Sequence, residues 1–211
     1  MKLKKSIVSM ICFLGIVLCT MAFGMKVQAA PPTEASISEN EWKMLKDVNK
    51  VRYDNGLNPV VSFPKLQLVG DIRTSEMMDM YVIYGYDGAI SNVRPNDTWY
   101  NTVLQDDNVQ ITGYDYYYEL RAFALTRKET VNAFSTDPQA SSIFLNPNYN
   151  CMGVGWQFAG ISDYWSLFYL KTGTLSSLQV PSYIEVDPGT TLADMDLCAT
   201  VNNSIQGKCY F

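Results

Sequence analysis

Carboxylates, one loop arginine and a run of tyrosines are the groups here that could do chemistry, and none of the 211 residues is a histidine. Without imidazole, a Ser-His-Asp or Cys-His mechanism is impossible. Zinc depends on imidazole or thiolate, and the cysteines are too scattered to make a site. Calcium needs only oxygen ligands, but Asp106-Asp107-Asn108 lacks the spacing of a calcium loop. Carboxylate chemistry remains. Glu119 with Glu76 or Asp115 has the residue types for acid–base cleavage of a glycoside. The same acids serve equally as helix charges, or in the case of Glu119 as a carboxylate bonded to backbone amides. Arg94 stands either to grip an anionic group or to tie its loop to neighbouring carbonyls. Tyr114, Tyr116, Tyr117 and Tyr118 offer stacking surface for a sugar or a partner, unless Tyr116 and Tyr118 turn into the core.

The elements that must position these groups are legible from spacing. Residues 91–104 form a polar ledge, Arg94-Pro95-Asn96-Asp97, running into an apolar segment. Thr98 or Asp97 is expected to cap a short helix there, with Trp99, Val103 and Leu104 on its inner face. Upstream, Ser38 and Glu41 make a capping box with Ile37 and Trp42 at the staple positions. Trp42, Leu45, Val48, Asn49 and Arg52 then share one helical face, which ends at Asp54-Asn55-Gly56. Ser62 is expected to cap a second helix with Pro64 in its first turn; Leu66, Val69, Gly70, Arg73, Met77 and Met80 form its stripe as far as Gly85. Thr126 and Glu129 open a helix through Val131 and Phe134, and Asp137-Pro138 opens another that Asn146-Pro147-Asn148 ends. Two antiparallel strands follow. In the first, Met152, Val154, Trp156 and Phe158 alternate with Gly153, Gly155 and Gln157, leaving one face almost without side chains.

At the start, Lys2, Lys4 and Lys5 precede an apolar run from Ile7 to Phe23 and small residues at Val27-Gln28-Ala29. This reads as a secretory signal peptide, residues 1–29, followed by a leader over 30–40, a domain over 41–173 and a tail over 174–211. No later segment is long and apolar enough to span a bilayer. Removing the four leader lysines takes the 16 basic residues to 12 against 21 acidic ones, a formal charge of −9. That balance argues against nucleic acid as a partner. In an exported chain Cys198 and Cys209 are expected to pair and staple the tail, leaving Cys151 as a buried structural thiol.

The order of these motifs resembles the CAP superfamily, also called SCP, in its bacterial form. The matching residues are Leu45, Asn49 and Arg52 with Gly56-Leu57-Asn58-Pro59; Arg73-Thr74-Ser75-Glu76; residues 91–97 with Trp99 and Thr102-Val103-Leu104; Asp137-Pro138 through Leu145-Asn146-Pro147; and Met152-Gly153-Val154-Gly155. The resemblance implies an α+β fold, a CAP-type α-β-α sandwich with a small antiparallel sheet between helices. It also implies a cleft, which in many members holds two histidines and two acids able to bind a divalent metal. Here Asn92 takes the first histidine's place and Ala140 the second's, while Glu119 retains one acid. The expected cleft is therefore lined by Asn92, Arg94, Glu119 and Ala140, with Tyr116 and Tyr118 nearby, and holds no metal or cofactor. The function to expect is a secreted, non-catalytic module binding a small ligand, a cell-wall component or a protein. A carboxylate-based hydrolase of wall glycan or peptide is the alternative, and a surface adhesive element using the tyrosine-rich segment is a third.

Overall fold

The structure, a computed structural model, describes residues 37–160 and 162–173 and, beyond them, the strands Leu178–Gln179, Cys198–Val201 and Gly207–Tyr210. Helix α1, Glu39–Asp54, begins at the expected capping box: Ser38 N donates to Glu41 Oε2 at 2.6 Å and Glu41 N to Ser38 Oγ at 3.4 Å. Its inner face orders the loops around it. Asn49 exchanges both amide bonds with the Val60 backbone, at 3.1 and 2.8 Å. Arg52 is fully buried and donates to the carbonyls of Asn58, Phe144, Asn146 and Tyr149 at 3.0–3.2 Å. One side chain thus satisfies four carbonyls of two irregular segments that could not otherwise be buried.

Helix α2, Pro64–Tyr84, buries the whole predicted stripe. Its N-cap is Phe63 rather than Ser62. The residue before a proline is pushed into the extended region, so the helix boundary falls on Phe63, at φ −140° and ψ 157°. Next come a short turn of helix, α3, Tyr86–Ala89, and a 3-10 helix, Tyr100–Gln105. Here the structure corrects the ledge. Trp99 is the N-cap and lies 52% exposed, while Tyr100, Val103 and Leu104 are buried. A three-residue period starting one position later explains the shift. Thr98 makes no cap; its hydroxyl meets Asn96 Oδ1 and Thr102 Oγ1.

Strand β1, Tyr116–Phe123, helices α4, Arg127–Thr136, and α5, Pro138–Phe144, and strands β2, Cys151–Ala159, and β3, Ser162–Lys171, complete the core. The three strands form an antiparallel sheet in the order β1-β3-β2. On one face Leu120, Ala122, Met152, Val154, Trp165, Leu167 and Tyr169 pack against α1, α4 and α5. On the other, Cys151, Phe168 and Leu170 pack against α2 and the 3-10 helix. The near-empty face of β2 has a purpose: a Cβ on Gly153 would run into the Leu66 carbonyl, and one on Gly155 into that of Gly70. Helix α2 lies directly on the strand.

A second antiparallel sheet contains β4, Leu178–Gln179, β5, Cys198–Val201, and β6, Gly207–Tyr210, in the order β4-β5-β6. Cys198 has Tyr210 as its backbone partner and Cys209 has Ala199, so the two cysteines sit on neighbouring strands one rung out of step. Residues 1–29, expected from sequence to be a signal peptide, lie outside the described residues. Among the described residues, no helix is long and apolar enough to cross a membrane.

Candidate functional site

Alternation along β1 puts Glu119 and Arg121 on the face that meets α2, and burial there decides their chemistry. The Glu119 carboxylate is sealed from solvent and takes four hydrogen bonds. Arg73 Nε and Nη2 donate at 3.0 and 3.2 Å, Arg121 Nη1 at 2.9 Å and Ser166 Oγ at 2.8 Å. Burial alone would favour its neutral form, but Arg73 and Arg121 outweigh that and hold its pKa below the usual carboxylate range. Arg73 reaches in the other direction to Glu76, one turn along α2. Glu76 Oε1 accepts from Arg94 Nε at 2.8 Å, and Arg94 forks onto Asp106 at 2.9 and 2.6 Å. The result is one relay of alternating charge: Asp106, Arg94, Glu76, Arg73, Glu119, Arg121.

Asn92 closes the relay at the surface. Arg121 Nη2 donates to its Oδ1 at 2.6 Å, and Arg121 Nη1 to the Ser91 carbonyl at 2.8 Å. The Arg121 guanidinium also lies 5.9 Å from the centre of the Tyr100 ring. Asn92 itself is exposed. Arg94 is buried and ties the ledge to two carboxylates rather than to carbonyls.

Asn92, Arg94 and Glu119 are thus brought into one network. Ala140 is not; it sits half-buried on α5, packed against the hydrophobic cluster on the opposite face of the sheet. Tyr116 and Tyr118 project from the alternate face of β1 and are 59% and 42% exposed. Tyr117 is the inward one: its hydroxyl accepts from Asn101 Nδ2 at 3.0 Å, and its ring packs against Tyr100 and Tyr114. Sequence reasoning missed Arg121, although the two-residue spacing from Glu119 within a strand was a usable signal.

A divalent metal of the kind the fold family implies does not fit these residues. Ala140 offers no donor, the Asn92 oxygen is engaged by Arg121, and both Glu119 oxygens face cationic guanidinium groups. Cys151 is no nucleophile either; burial pushes its thiol up to about 11.

A second acidic pair lies away from this network, where α1 and α2 meet the outer edge of β2. Glu41 Oε1 accepts from Trp156 N at 3.0 Å, and Asp71 accepts from Gln67 Nε2 at 3.3 Å. Burial, then the neighbouring Glu41 charge, pushes Asp71 up to about 8, and burial raises Glu41 as well. Such a pair shares a proton.

No protein-family model matches the chain, and no curated protein does. Solved structures do. One is an extracellular protein containing an SCP domain from Bacillus anthracis, at TM-score 0.52 and 16% identity, covering 63% of this chain and 40% of that one. Another is an outer surface protein from Borrelia burgdorferi, at TM-score 0.51 and 14% identity, covering 66% of this chain and 97% of that one. The chain thus spans about two fifths of the length of the Bacillus protein. The sandwich described above is the CAP fold in its bacterial form.

Proposed function

We propose that this chain is a secreted CAP-domain module that binds a ligand or partner without catalysis, at the rim where Asn92 and Arg121 reach the surface. One observation carries this. The retained acid, Glu119, spends every bond on Arg73, Arg121 and Ser166, while the side chain at the network's exposed end is a neutral amide held in place by Arg121. A general acid needs a raised pKa and access to substrate; Glu119 has a lowered pKa and no access. The solvent-facing groups at this rim are recognition groups: the Asn92 amide and the Trp99 ring. The signal peptide over residues 1–29 supports export, as do the extracellular and outer-surface descriptions of the two structural neighbours. In that setting Cys198 and Cys209 are proposed to be oxidised to a disulfide.

Native mass spectrometry with elemental analysis, on protein exported through an oxidising route, tests this. The expected spectrum shows a retained organic mass that Asn92→Ala loses, no stoichiometric metal, and a chain mass two hydrogens below the fully reduced value. A stoichiometric divalent ion, or cleavage of purified wall glycan or stem peptide that Glu119→Gln abolishes, would overturn the binding-module reading.

A further inference from the structure

The two edges of the central sheet are treated differently. On β2, Met152 N donates to Val61 O and Val154 N to Gln67 Oε1, while Gln67 Nε2 donates back to Val154 O and Trp156 N donates to Glu41. The edge is closed rung by rung. On β1, Ala124 N donates to Asp163 O within the β1–β3 register, so the even-numbered residues bond to β3. The backbone groups of Tyr117, Glu119, Arg121 and Phe123 therefore point away from the sheet. Among the described residues nothing pairs with them. The strand contains no proline and no lysine, the usual guards of an open edge.

We propose that this edge pairs with the same edge of a second copy, antiparallel about a two-fold axis through Leu120, to give a continuous six-stranded sheet. The strand is self-complementary in that register. Glu119 faces Arg121 of the second copy, Tyr117 faces Phe123, and Tyr118 faces the small Ala122. All four outward-pointing backbone positions find partners. Moving the axis one residue either way sets Glu119 against Glu119 or Arg121 against Arg121, and like charges directly opposite are unfavourable. The exposed ring of Tyr118 is then covered at the seam. The interface is isologous and closes on itself.

Sedimentation of the full exported chain from micromolar to millimolar concentration, with amide hydrogen exchange at both ends of the range, tests the pairing. The expected result is a dimer that dissociates on dilution, with the amides of Tyr117, Glu119, Arg121 and Phe123 protected only in the dimer. Tyr118→Lys sets a cation into each half of the seam and should raise the dimer dissociation constant about tenfold or more. Because Tyr118 is solvent-exposed in the single chain, the variant's monomer should melt as the parent's does. A monomer throughout, edge amides that stay equally fast at every concentration, or a dimer unaffected by Tyr118→Lys would each overturn the pairing. Protection of those amides by another protein's extended segment, without self-association, would also replace it.

Discussion

Glu119 is the residue on which the buried network turns, because two guanidinium groups lean on one sealed carboxylate. Removing one partner of a buried pair leaves an uncompensated charge, which costs far more than the pair itself contributes. Glu119→Ala strands Arg73 and Arg121 together, so it should lower unfolding stability by about 3–5 kcal/mol. Arg94→Ala leaves Glu76 with Arg73 as a remaining partner and Asp106 partly in water, so its cost should be smaller. Denaturant unfolding of the two variants side by side checks the order; equal losses would mean that Glu119 is not the keystone. Little of this could be read from sequence. Arg73 and Glu119 are 46 positions apart, and no periodicity joins a helix to a strand at that distance. The capping boxes at Ser38 and Thr126 were legible because both halves of each lie within one turn.

Among the elements, the contact of α2 with β2 depends on the absence of side chains. The alternation of Gly153 and Gly155 with apolar residues announced a bare face, but not which helix would lie on it. Gly155→Ala puts a methyl group against the Gly70 carbonyl, and neither backbone can turn aside. The helix must lift, at a cost of about 1–3 kcal/mol. Gly173→Ala, where an added Cβ meets nothing, is the control and should be near neutral. Equal unfolding midpoints for the two variants would show that the close approach contributes nothing. Trp99 marks the opposite failure of pattern reading. A helical period placed it inside, but the 3-10 turn begins at Tyr100, and the tryptophan became surface.

For the molecule as a whole, these carboxyl groups set opposing responses to pH. Glu119 has a folded pKa below its unfolded value of about 4.3, so its contribution is present above that pH and is lost as pH falls through the folded pKa. Asp71 runs the other way. Its folded pKa, about 8, lies above the unfolded value of about 3.9. Between those values the folded state holds a proton that the unfolded state has released, so stability declines steadily as pH rises from about 4 to about 8. Glu41, raised by burial beside it, adds in the same direction. The pair takes hydrogen bonds from the Ser38 amide, Gln67 and the Trp156 amide. The two trends together place maximal stability at about pH 4, where the loss set by Asp71 begins on one side and that set by Glu119 on the other. Asp71→Asn keeps the shape and removes the proton, so the variant should match the parent near pH 4 and melt several degrees higher at pH 8, with the decline between them flattened. Thermal unfolding of both proteins from pH 3 to 9 decides it: parallel curves would mean that Asp71 ionises in the folded protein as it does in the unfolded chain, and that the two carboxyl groups share no proton.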